Sequence, residues 1–316
     1  MAKYCIGIDL GGTFIKGGIV DLDGNIIHID KTPTEVDKGN SKICENIANL
    51  IENLIDKTNI HKSEIIGIGM GAPGMIDSKT GIIKCAENLY FENFPIADHL
   101  KKLTGFNVKV ANDANVATLG EVKFGAAKNK ENAIMITLGT GVGGGMVCNG
   151  TLVEGNEGAG AELGHTVIAM GGEPCSCGRR GCAEAYASAT ALIRDTKKAM
   201  NLHKDSKMWT IGDIDLVNGK TAFDFSATDI YAKEVVDNYI YALATIIVNF
   251  ANVFRPDAVI LGGGVCAQGD SLTLPLQKIV NEEIYGGDLG PAVPVVVASL
   301  GNSAGVIGAA ALIMDF

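Results

Sequence analysis

Two stretches about 128 positions apart repeat one pattern: Ile8-Asp9-Leu10-Gly11-Gly12-Thr13 and Ile136-Thr137-Leu138-Gly139-Thr140-Gly141. Each reads as an apolar strand, a Gly/Thr bend and a returning strand, closed by an Asp-Gly or Asn-Gly turn at Asp23-Gly24 or Asn149-Gly150. The offset is too long for a solenoid repeat. It points instead to two related α/β domains, each with a hairpin whose bend offers bare N–H groups to an anion, as phosphate nests do. Asp9, beside the first bend, is suited to hold Mg2+ directly or through water. Residues 139–144 also contain a literal G-x-G-x-x-G. A dinucleotide site needs a helix next; here the chain runs back as the strand Met146-Val147-Cys148, which excludes that reading.

The remaining pattern fits α/β order. Apolar residues at Ile43, Ile47, Leu50, Ile51, Leu54 and Ile55 predict a helix over 41–57. Ile65–Met70, Val108–Val110, Ala133–Leu138, Ala258–Leu261 and Val293–Ala298 read as strands. Helices are expected over 96–103, 114–124, 185–200, 229–254, 272–283 and 303–314, with 88–94 irregular and 201–225 polar and irregular. The strand at 108–110 delivers Asn112-Asp113-Ala114-Asn115 at its C-terminal end, where open α/β sheets place ligands. Gly262-Gly263-Gly264 forms a third glycine bend after the strand at 258–261.

Composition narrows the function class. A net charge of −10 and a pI near 5.0 argue against non-specific binding to nucleic acid or anionic membrane. No run of ~18 apolar residues predicts a membrane span, and the start leads straight into a strand with no signal-peptide architecture. Eight cysteines are too sparse for a disulfide scaffold. Cys5, Cys44, Cys85, Cys148 and Cys266 read as small core hydrophobes, and a reducing cytoplasm fits them best. His28, His61, His99 and His203 sit in polar contexts and are expected at the surface.

The other three thiols form a tight knuckle, Cys175-Ser176-Cys177-Gly178-Arg179-Arg180-Gly181-Cys182, ten residues after His165. Zinc takes four such ligands tetrahedrally, and four protein ligands leave no open position for water. His165, Cys175, Cys177 and Cys182 therefore read as a structural Zn2+ site, in a loop of residues 165–184. That metal would also fix the orientation of Glu162 and Glu184 nearby.

Together these motifs resemble the ROK family (repressor, open reading frame, kinase) of the actin/hexokinase/Hsp70-like, ribonuclease H-like fold. Within it the chain is most similar to the bacterial glucokinases, over essentially its whole length. The resemblance implies an α/β fold of two domains with an interdomain cleft that takes ATP. A smaller nucleotide/sugar domain is expected at 1–112 plus 302–316, and a larger one at 113–301. It implies ATP- and Mg2+-dependent phosphorylation of a hexose hydroxyl, most simply glucose to glucose 6-phosphate, in carbohydrate metabolism and glycolysis. Asp113 would be the general base, and Asn112, Glu162, His165 and Glu184 would hydrogen-bond other sugar hydroxyls. Gly11, Gly12 and Thr13 would cradle phosphates with Asp9 orienting Mg2+; Thr140 and Gly141 would close on the phosphates, and Gly262, Gly263 and Gly264 would lie against adenosine. A homodimer is implied as well.

Physical chemistry agrees with these roles. Hydroxyls both donate and accept, so carboxylates and amides suit them, and phosphoryl transfer asks mainly for positioning, Mg2+ and a base. Asn112 and Asp113 also precede the helix at 114–124, so either could serve as its N-cap. Family relatives acting on N-acetylmannosamine, fructose or allose are the alternative, since an aromatic position near the sugar falls here on Tyr90 or Phe91. A sugar-responsive regulator of the family would carry an added N-terminal DNA-binding module, for which no room is expected before Tyr4.

Overall fold

The computed structural model describes residues 2–314. In chain order the strands are β1 Tyr4–Leu10, β2 Phe14–Asp21, β3 Ile26–Pro33, β4 Ile65–Ala72, β5 Met75–Asp77, β6 Ile82–Ala86, β7 Phe91–Phe94, β8 Val108–Asn112, β9 Ala133–Leu138, β10 Val142–Cys148, β11 Thr151–Leu152, β12 Ala258–Gly262 and β13 Val295–Val297. The helices are α1 Asn40–Thr58, α2 Ile96–Thr104, α3 Asp113–Phe124, α4 Glu184–Ala187, α5 Ala189–Leu202, α6 Thr221–Phe225, α7 Ile230–Phe254, α8 Asp270–Glu283 and α9 Ala304–Ile313.

Two compact units result. Among the described residues, the first holds 2–131, 145–161 and 298–314, and the second 132–144 and 162–297. In the first, a sheet of order β3-β2-β1-β4-β8 is antiparallel across β3, β2 and β1 and parallel across β1, β4 and β8. β4 is apolar throughout and buried along nearly its whole length, as a central parallel strand must be. On one face α1 buries Ile43, Ile47, Leu50, Ile51 and Leu54 against Ile6, Ile8, Ile15 and Ile68. Each such side chain contributes about 1.5–3 kcal/mol by leaving water.

The other face carries α9, whose Val306, Ala310 and Ile313 cluster with Cys5 and Val20. Here backbone rests on backbone. A Cβ at Gly7 would stand 1.9 Å from the Val306 carbonyl oxygen, one at Gly69 1.7 Å from that of Ala309, and one at Gly308 1.7 Å from that of Val116 in α3. Glycine at these positions is what allows α3, α9 and the sheet to approach so closely. This packing holds α3 in the first unit. The expected boundary after residue 112 therefore differs from the observed division, which keeps 113–131 and 145–161 with the first unit and starts its C-terminal return at 298 rather than 302.

The second sheet has the order β11-β10-β9-β12-β13, with β9, β12 and β13 parallel. Its order matches the first sheet strand for strand, so the repeat legible at residues 8–13 and 136–141 is a repeat of topology. β10 is where the chain passes from the second unit to the first, between Gly144 and Gly145. The second unit is otherwise helical around α7, whose Val235, Tyr239, Ile240, Leu243, Ile246 and Ile247 are buried. Asp229 caps α7 by accepting from the N–H groups of Tyr231 and Ala232 at 2.8 and 3.0 Å. Residues 201–225, read as irregular, contain short turns and α6 over a small core of their own, Met200, Met208, Val217 and Ala232. Trp209 closes it, donating its indole N–H to the Met200 carbonyl at 2.9 Å.

Several local expectations change. β3 lies between the 21–25 turn and α1, where no strand was expected; its residues alternate between half-buried and exposed, the pattern of an edge strand. Phe91 in β7 is core, 2% exposed and tilted against Phe94 at 5.1 Å, whereas Tyr90 is 78% exposed. Cys85 is exposed and Cys148 only half-buried, while Cys5, Cys44 and Cys266 are buried as expected. His28, expected at the surface, is half-buried, and its Nε2 is buried with no partner among the described residues.

Candidate active site

In the first unit, Asp9 lies near the C-terminal end of β1 and Asp113 directly follows β8, so both sit at the C-terminal edge of the parallel strands. Asn112 is the N-cap of α3: its Oδ1 accepts from Ala114 and Asn115 N–H at 2.9 and 3.3 Å, and its Nδ2 donates to the Gly74 carbonyl at 3.1 Å. The capping duty thus falls on Asn112. Asp113 Oδ1 accepts from Ala114 N–H at 2.8 Å, the Asn112 side chain also favours its charged form, and its side chain is reached by solvent. Protein atoms nonetheless crowd it, and this desolvation holds its carboxyl above the ordinary range, with the charge of Asp9 adding to the effect. Asp9 is likewise raised by desolvation, partly offset by Lys16, whose Nζ stands 3.7 Å from Oδ2 across the β1–β2 hairpin.

At the first bend, Gly11 donates its N–H to the Phe14 carbonyl at 3.1 Å and so closes the turn. Among the described residues no partner is found for the N–H groups of Gly12 and Thr13. A Cβ at Gly12 would meet no atom within 4 Å. The chain's own packing does not demand glycine there, whereas a close anion would.

The second unit repeats this at Gly139, which donates to the Gly141 carbonyl at 3.0 Å, leaving the N–H groups of Thr140 and Gly141 without partners among the described residues. Residues 184–190 brace the bend. Glu184 Oε2 accepts from Val142 N–H at 3.1 Å, Ala189 donates to the Gly139 carbonyl at 2.8 Å, and the Thr190 hydroxyl donates to the Thr140 carbonyl at 2.7 Å. Glu184, expected in a loop, is the first residue of α4, and its other oxygen accepts from the Ser176 hydroxyl at 2.9 Å. Glu162 is exposed and precedes the single turn Leu163–His165. Gly262 ends β12, and Gly263, with φ 93°, abuts the Leu138 backbone so closely that a Cβ would lie 2.3 Å from its carbonyl oxygen.

His165, Cys175, Cys177 and Cys182 converge, their ligand atoms all within 4.8 Å of one another. The Cys177 and Cys182 sulfurs stand 3.7 Å apart, and Cys175 Sγ stands 3.6 Å from His165 Nδ1. Zinc–sulfur and zinc–nitrogen bonds of about 2.3 and 2.0–2.1 Å at tetrahedral angles give edges of about 3.8 and 3.6 Å. The donor set and its spacing therefore fit a metal ion of zinc's size and preference. Nδ1 faces the cluster, which leaves Nε2 of His165 for a partner outside it.

Three groups at these sites escaped the sequence: Lys16, Ser176 and the Val142 N–H. Lys16 had a readable signal, since it faces Asp9 in the hairpin register. Ser176 and Val142 had none, because their link runs through a side chain distant in sequence.

A duplicated hairpin-and-sheet unit with glycine bends and a Cys3His knuckle defines a class of protein, and the chain belongs to the ROK family, which it matches over residues 5–315. It is 40% identical over 318 residues to a glucokinase of Halalkalibacterium halodurans, covering 97% of this chain and 93% of that one. A glucokinase of Thermotoga maritima is 37% identical, with 98% and 97% covered. Among solved structures, a ROK family glucokinase from Streptomyces griseus in complex with glucose and AMPPNP superposes with a TM-score of 0.77 at 32% identity, covering 98% of both chains. The fold is accordingly that of the ROK sugar kinases, as expected from the motifs.

Proposed function

We propose that this protein is a Mg-ATP-dependent sugar kinase that phosphorylates glucose to glucose 6-phosphate, with Asp113 as general base. The observation that carries the reading is Asp113 itself, at the C-terminal edge of the parallel strands, with its side chain open to solvent and with Asn112 taking the cap of α3. Glucose is favoured over N-acetylmannosamine, fructose or allose because the Halalkalibacterium, Thermotoga and Streptomyces relatives are glucokinases.

In the mechanism, Asp113 Oδ2 accepts the proton of the attacking hydroxyl as that oxygen bonds to the γ-phosphorus and the bond to the ADP oxygen breaks. Burial favours proton uptake by Asp113, so the base is weakly held in its charged form and readily takes a proton. The open N–H groups of Gly12 and Thr13, and separately those of Thr140 and Gly141, are suited to phosphate oxygens. Asp9 would hold Mg2+, which would offset phosphate charge, and Lys16 partly counters the desolvation that raises the Asp9 carboxyl. Asn112, Glu162, His165 Nε2 and Glu184 bond the remaining sugar hydroxyls, and Gly262–Gly264 receive the adenosine. His165, Cys175, Cys177 and Cys182 hold structural Zn2+. The family resemblance favours a homodimer, which sedimentation velocity tests.

The test is ADP release with Mg-ATP across glucose, mannose, fructose, allose, N-acetylglucosamine and N-acetylmannosamine. The reading expects glucose to lead with kcat/KM of about 10⁴ M⁻¹s⁻¹ or more. Faster turnover of another sugar would reassign the substrate; no turnover on any would refute the kinase.

A further inference from the structure

Glu184 links the Cys3His knuckle to the Gly139–Val142 bend. One oxygen accepts from Ser176, which sits between two metal-ligating cysteines; the other accepts from the N–H of Val142, which closes the Gly139–Val142 bend. Val142 is 5% exposed, so its N–H has little water to turn to. The carboxylate is seated tightly there: a Cβ at Gly141 would lie 2.3 Å from Glu184 Oε2. The same short segment grips the bend twice more, through Ala189 to Gly139 and Thr190 to Thr140. Three hydrogen bonds to the bend thus come from residues 184–190, and Ser176, with Cys175 Sγ at 3.6 Å from the same oxygen, ties the first of these residues to the knuckle.

We infer that Ser176 is a positioning residue that fixes Glu184 and, through it, the phosphate-side bend, so that the metal knuckle governs nucleotide affinity as well as the sugar side. The inference rests on the zinc and nucleotide assignments proposed above. Metal bonds to Cys175 and Cys177 fix the backbone on both sides of Ser176; its hydroxyl then holds one lobe of the carboxylate and leaves the other aimed at Val142. Glu184 Oε1 also lies 3.6 Å from Cys175 Sγ, but a metal-bound thiolate does not donate; without the Ser176 hydroxyl, Glu184 therefore swings toward water and the bend loses a charge-assisted bond.

The test is calorimetric titration of zinc-loaded protein with Mg-AMPPNP, for wild type, Ser176→Ala and Ser176→Thr, with zinc per chain measured by atomic emission. Ser176→Ala is expected to retain one zinc per chain and to weaken AMPPNP roughly 10- to 150-fold, the range of one hydrogen bond to a charged group. Ser176→Thr, which keeps the hydroxyl, should restore affinity. Stripping zinc should bring wild type and Ser176→Ala to the same weakened affinity, because both changes break one linkage. Unchanged nucleotide affinity in Ser176→Ala with zinc retained overturns the inference alone, as does a loss that merely follows lost zinc, or additive losses. Wild-type protein that binds no AMPPNP would overturn the kinase reading and this inference together.

Discussion

Asp113 shows how adjacent residues divide labour. A helix start needs a cap, and Asn112 supplies it with its amide, so the neighbouring carboxylate is not needed as the cap and is available for the base role proposed above. Asp113→Asn should lower kcat by about 10²–10⁴-fold, the usual contribution of a positioned base, while the melting temperature hardly moves; steady-state kinetics and a thermal melt check both parts. Its raised pKa has a definite sign. The base is lost as pH falls through the folded value, which lies above the ordinary aspartate value of about 3.9. The acid limb of kcat/KM should therefore turn down at a higher pH than an unperturbed aspartate would give, as initial rates between pH 4 and 8 would reveal.

Among the elements, the repeated hairpins, α1, α7 and the knuckle were legible because each rests on local periodicity, a bend or a ligand spacing. β3 was not, since an edge strand of alternating half-buried polar and exposed apolar residues such as His28 and Ile29 lacks an apolar run. Nor was Glu121 in α3, which reads as a surface charge. It is fully buried and accepts from the N–H groups of Ala126, Ser299 and Leu300 at 2.8, 3.1 and 2.8 Å, partners mostly far away in sequence. The polar stretch 201–225 is ordered by a similar device. Asp229 caps α7 and also accepts from the Ser206 hydroxyl at 2.7 Å and from Lys207 N–H. Burial alone would raise its carboxyl, but these bonds outweigh it and hold the group below its usual value. Asp229→Ala should cost about 2–4 kcal/mol in chemical denaturation near pH 7. A depressed carboxylate contributes stability that is present above its unfolded value and lost as pH falls through its folded one. The variant's deficit should accordingly shrink below about pH 4.

For the whole molecule, the glycines that let α9 lie on β1, β4 and α3 explain why the C-terminal segment returns to the first unit, so the two units were legible while their boundary was not. Packing of α3 against α9 depends on residues nearly two hundred positions apart, which no local pattern reports. The proposed metal site belongs to this scale too, since residues 165–184 have little core of their own. Removing zinc by chelation should lower the melting temperature, and zinc in excess should restore it; differential scanning calorimetry on stripped and reloaded protein would show whether it does. The central claim, that Asp113 is the base of a sugar kinase, is met most directly by measuring glucose binding and single-turnover phosphoryl transfer in wild type and Asp113→Asn side by side. The account predicts that the variant still binds glucose while transfer from Mg-ATP falls by about 10²-fold or more. Transfer at the wild-type rate in Asp113→Asn would contradict it.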